Sequence, residues 1–93
     1  MFIALLTVEL HLEGSFSLKD KRSRLRKIKD HFGKKTYLAV NESGFHDNLT
    51  RSQWSFVCIG NEKSFIHKNF SAIETYLLES VDAQITAFDD CFL

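Results

Sequence analysis

Along this chain the spacing of apolar residues switches between every second residue and every third or fourth. The order of those switches restricts the fold more than any composition figure. Residues 2–12 alternate: Phe2, Ala4, Leu6, Val8, Leu10 and Leu12 take one side of an extended strand, and Ile3, Leu5, Thr7, Glu9 and His11 take the other. Gly14 and Ser15 break the pattern. Ser17 then has the character of a helix N-cap, with Asp20 three places on. Leu18, Leu25, Ile28 and Phe32 recur at helical intervals up to a stop at Gly33. Residues 36–42 read as a second strand, with Leu38 and Val40 facing one way and Tyr37 and Ala39 the other. A polar loop, 43–50, leads to a third strand over 53–59 that is apolar on both faces, as a central strand is. A second helix over 62–79 shares Ile66, Phe70, Ile73 and Leu77 on one face, and 83–89 close as a fourth strand.

The resulting order, β-α-β-β-α-β, is that of the ferredoxin-like split βαβ unit, an α+β fold. Right-handed crossovers put both helices on one face of a four-stranded antiparallel sheet. At 93 residues, 44% apolar and without proline, the chain is expected to form one domain spanning 1–93. No part of it covers the other face of the sheet. Parity assigns that face Ile3, Leu5, Thr7, Tyr37, Ala39, Trp54, Phe56, Cys58, Thr86 and Phe88. Apolar surface on that scale marks a partner, and a second copy of the chain is the simplest one. Tyr37, Trp54, Phe56 and Phe88 are therefore the expected contacts of a homo-oligomer. The third strand also echoes an RNA-recognition motif, but Gln53 stands where that motif has glycine, and the first strand lacks its stacking aromatic.

Charge is the second informative feature. Twelve basic and twelve acidic residues cancel overall. Segment 19–35 nevertheless holds nine basic residues against two acidic ones, a net +7, and the remainder holds three against ten, a net −7. On a helical wheel Lys19, Arg22, Arg26 and Lys29 fall on one flank beside the apolar seam, and Lys34 and Lys35 follow the helix. Cations at that density suit a polyanion, so these six residues are the expected phosphate contacts of an RNA-binding surface. Lys21 points into the apolar arc between Leu25 and Ile28. Its stem is expected along the core edge with the ammonium reaching outward, or paired with Glu9 or Glu42.

Chemistry beyond binding has little support. His11, His31, His46 and His67 share no metal-ligand spacing, so neither a metal nor another cofactor is expected. Cys58 and Cys91 form no C-x-x-C pair, and the four glycines build no phosphate loop. Glu42, His46 and Asp47, with Lys21 nearby, form the one polar constellation, and no enzyme activity is expected from it. No apolar run is long enough to cross a membrane. The opening MFIALLTVELHLEG lacks the basic leader of a signal peptide, so a cytoplasmic protein is expected.

Several blocks together carry a resemblance: Val8-Glu9-Leu10-His11-Leu12, Ser17-Leu18-Lys19-Asp20-Lys21-Arg22-Ser23, then Leu25, Ile28-Lys29-Asp30, Val40-Asn41-Glu42, Asp47, Arg51 and the strand end Val57–Asn61. They resemble the YlxP-like bacterial family, a domain of unknown function, along the whole chain. The chain departs from that family at Glu13, where proline is usual, and at Leu49, where tryptophan is usual. The resemblance implies a ferredoxin-like fold, often oligomeric, with no established activity. It also implies gene neighbours that encode a translation initiation factor and ribosome-binding factor A. Ribosomal RNA or a ribosomal subunit is the partner this suggests.

Overall fold

The computed structural model describes residues 1–93. Its elements are β1 (Phe2–His11), α1 (Leu18–Phe32), β2 (Leu38–Gly44), β3 (Arg51–Gly60), α2 (Lys63–Ser80) and β4 (Gln84–Phe92). The strands form one antiparallel sheet in the order β2-β3-β1-β4. The connection through α1 therefore passes over β3 and the connection through α2 over β1, so both helices cover one face. This is the α+β ferredoxin-like arrangement that the alternating periods imply.

Each helix forms where its apolar residues repeat at helical spacing, and each buries that stripe. Leu25, Ile28 and Phe32 of α1 and Ile66, Phe70, Ile73 and Leu77 of α2 join Ala4, Leu6, Val8 and Leu10 of β1 in a single core. Ser17 begins α1 by accepting the Asp20 backbone N–H at 3.0 Å, a cap worth about 1 kcal/mol. Gly33 ends it in a right-handed conformation, φ −72°. Glycine serves there for close approach, because a Cβ would collide with the Lys29 carbonyl oxygen.

Register decides which face of the central strand lies inside. Leu6 stands opposite Phe56, Val8 opposite Trp54 and Ala4 opposite Cys58, so these three residues of β3 share the helix-covered face with the core residues of β1. This corrects the expected composition of the open face. Trp54, Phe56 and Cys58 are buried beneath the helices, and burial pushes the Cys58 thiol above its ordinary range. Phe88 pairs with Val8 and packs at the core edge, while Tyr37 lies just outside β2 with its ring edge-on to Phe65 of α2 at 5.0 Å. With both faces of β3 apolar, alternation alone fixes no direction. Pairing against Leu6 and Val8 does: it turns the large rings into the space under two helices, and a slip of one residue would exchange every side chain.

The uncovered face carries Ile3, Leu5, Thr7 and Glu9 of β1, with Ser55 and Val57 of β3, all half-buried, and the exposed Ala39 and Ile59. The strands Leu38–Gly44 and Gln84–Phe92 are the sheet edges, and Asp89 and Asp90 of β4 are exposed.

The two faces have opposite mutational signatures. Phe56→Ala is expected to remove about 3–5 kcal/mol in urea unfolding, a large share of the stability of a domain this small. Leu5→Ala, on the uncovered face, is expected to remove about 1 kcal/mol or less. The reverse ranking would place Phe56 on the open face.

Candidate functional site

The helical repeat that buries Leu25, Ile28 and Phe32 carries Lys21 inward with them, since positions four, seven and eleven residues apart share a face. Lys21 is 2% exposed. An ammonium so placed needs partners. Its Nζ donates to the Phe45 carbonyl at 2.6 Å and stands 3.3 Å from Glu42 Oε2. Of the two expected carboxylates, Glu42 is therefore the one that pairs, and Glu9 lies instead beside Arg51. The fully buried Ser52 donates its hydroxyl to the same Glu42 oxygen at 2.5 Å. His46 Nε2 lies 3.0 Å from the Glu42 carbonyl, and because a carbonyl only accepts, the ring donates from Nε2.

The turn joining β2 to β3 is held for this purpose. Phe45 adopts a left-handed conformation, φ 60°, with the Arg51 guanidinium stacked 4.0 Å above its ring. Asn48 Oδ1 accepts the backbone N–H groups of Thr50 and Arg51, each at 3.0 Å, which closes the turn.

The cations of α1 divide into two flanks. Arg24 donates to the backbone carbonyls of Asp82 and Glu13 and pairs with the carboxylates of Asp20 and Asp82, while Lys27 donates to the Ser80 carbonyl. That flank fastens the helix to the loop after α2. On the other flank Lys19, Arg22, Arg26 and Lys29 are exposed, as are Lys34 and Lys35 beyond the helix. None of the six belongs to any of the molecule's four ion pairs.

Between this second flank and the β2–β3 hairpin lies a cleft of about 360 Å³. Lys21, Arg22, Arg26, Lys29 and Asp30 line it along α1, Glu42 and His46 line the hairpin side, and Leu18, Leu25 and Trp54 supply the apolar wall. Trp54 is cross-strand partner to Glu42, and its indole N–H is buried with no acceptor. The cleft unites two groups of residues that the sequence suggests separately, the cationic stripe and the Lys21–Glu42–His46 constellation. Lys19, Lys34, Lys35 and Asp47 are not among its lining residues. Of the four residues expected at an oligomer contact, Trp54 belongs to this cleft, whereas Tyr37, Phe56 and Phe88 pack with the core. Ser52 and Phe45 were not legible as site residues, because their parts depend on where the hairpin closes. No cluster of three or more histidine, cysteine or carboxylate side chains is positioned to hold a metal ion.

Removing one member of the buried pair should be worse than removing both. Lys21→Met strands a largely buried carboxylate and is expected to lose about 1–3 kcal/mol in urea unfolding. The double variant Lys21→Met/Glu42→Gln is expected to lose less than the sum of the single losses, with a coupling of about 0.5–3 kcal/mol. Strict additivity would mean that the two groups do not interact.

No curated protein matches the chain. The model of the DUF503 family, described as a protein of unknown function, matches residues 3–90, nearly the full length. With that extent of match, the chain belongs to the DUF503 family.

Proposed function

We propose that this protein is a small, non-enzymatic, RNA-associated module of YlxP-like kind, which grips phosphates through the free flank of α1. The observation that carries this reading is the ion-pair pattern: Lys19, Arg22, Arg26, Lys29, Lys34 and Lys35 are exposed and unpaired in a molecule whose other residues carry a net −6. Positive charge concentrated on one side steers a polyanion to that side, and contacts to phosphate fix position without reading sequence. The resemblance to a family with translation genes as neighbours makes ribosomal RNA or a ribosomal subunit the proposed target, in the cytoplasm. No helix is long and apolar enough to cross a membrane.

A second reading rests on the uncovered sheet face. Ile3 stands opposite Ile59, and Leu5 opposite Val57, forming an apolar block at one end of that face. This block, and not the buried aromatics, is the surface on which a homo-oligomer would form.

Each reading has its own measurement. Filter retention of ribosomal RNA across a salt series should weaken steeply with salt. The double variant Arg22→Glu/Arg26→Glu should reduce the log–log slope by about 1–2, at roughly 0.7–0.9 for each phosphate no longer neutralised. Retention indifferent to salt defeats the RNA reading. For the second reading, sedimentation should show wild type larger than Leu5→Glu; a monomer in both removes it.

A further inference from the structure

We infer that the cleft between α1 and the β2–β3 hairpin is a binding site for one phosphorylated nucleotide unit, with its phosphate on Arg22, Arg26 and Lys29 and its base against Leu18, Leu25 and Trp54. The inference rests on the phosphate-binding reading of α1 and adds to it a ligand of stated chemistry.

Three observations converge on the site. The first is concavity: about 360 Å³ lies within the size range of small-molecule pockets. The second is the distribution of polarity. Arg22, Arg26 and Lys29, none of them in an ion pair, outnumber the one carboxylate on the α1 side, Asp30, and Leu18, Leu25 and Trp54 add an apolar wall, so the preferred ligand is anionic at one end and flat and apolar in its body. Inorganic phosphate would use only the cations. The third is one unsatisfied donor in the wall. The Trp54 indole N–H has no acceptor, and its cross-strand neighbour Glu42 engages Lys21 and Ser52 through Oε2 alone. An indole donor that lacks an acceptor, on the same wall as a carboxylate, suits the edge of a nucleobase, which both accepts and donates, and suits a simple hydrocarbon acid poorly. The opposite wall is already organised: Lys21 and Ser52 fix Glu42, and the left-handed Phe45 fixes the turn that carries His46.

Trp54 is the only tryptophan of the chain, so its emission reports on this cleft directly. The intact protein is titrated with each of the common nucleoside 5′-monophosphates, with a short single-stranded RNA and with inorganic phosphate at matched ionic strength, exciting at the red edge of indole absorption. A monophosphate or the RNA is expected to change Trp54 emission saturably, and inorganic phosphate is not. A response to free monophosphates identifies a nucleotide site, and a response to RNA alone identifies a nucleotide held within a strand; both support the proposal. Arg26→Glu is expected to weaken the responding ligand about tenfold or more, with its thermal unfolding midpoint close to that of wild type. Lys34→Glu, outside the cleft, should leave monophosphate affinity within about twofold. Unchanged Trp54 emission with every nucleotide and with RNA overturns the cleft, as does a response that Arg26→Glu leaves intact or that inorganic phosphate reproduces. The two levels remain separable. RNA retained on a filter without a Trp54 response defeats the cleft and spares the helix reading, whereas a monophosphate response without RNA retention does the reverse.

Discussion

A single buried amine ties three parts of this molecule together. Lys21 lies in the α1 stripe that faces the sheet, and its Nζ is held by Glu42 of β2 and by the Phe45 carbonyl in the turn that follows. An ammonium in that position without partners would cost several kcal/mol, so docking of α1 and closure of the hairpin are energetically coupled. The turn has its own cost: a left-handed phenylalanine is disfavoured by about 1–3 kcal/mol. A hydrogen bond to a charged group contributes about 1.5–3 kcal/mol, which is enough to offset it. One side chain thereby holds in place the turn, the carboxylate and the histidine that form one side of the cleft.

Charge and packing are separated on the same helix by the same geometry. The flank turned toward the loop after α2 commits Arg24 and Lys27 to backbone carbonyls, which anchor the helix firmly. The flank turned toward the hairpin keeps its cations free because the carboxylates nearby, Glu42 and Asp30, do not fold onto them. A net charge of zero therefore says nothing about the potential on this flank; the local arrangement of charges does.

Much of the architecture was legible from spacing alone, because two different periods in a fixed order admit few topologies. The apolar stripes of both helices, the Ser17 cap and the strand order follow from single residue types at fixed intervals. Strand limits followed less well: β3 begins at Arg51 and β4 runs on to Phe92, since polar residues extend a ladder wherever a neighbouring strand supplies hydrogen bonds. The interior direction of β3 was not legible at all. Trp54-Ser55-Phe56-Val57-Cys58-Ile59 offers apolar residues to both sides, and only pairing against Leu6 and Val8 chooses between them. The candidate site was half legible. Its cations stand out as a run, and Lys21 stands out as a charge in an apolar arc, but their convergence with Trp54 depends on that same pairing.

The outer edge of the sheet has a consequence of its own. β4 runs nine residues along an unpaired margin, long enough to recruit a strand from another molecule. Adjacent aspartates, Asp89 and Asp90, put negative charge on both sides of that margin, so a second margin laid against it in antiparallel fashion would bring like charges together. Charge repulsion of this kind works against edge pairing between copies, the device by which a long border strand is kept from acting as a template.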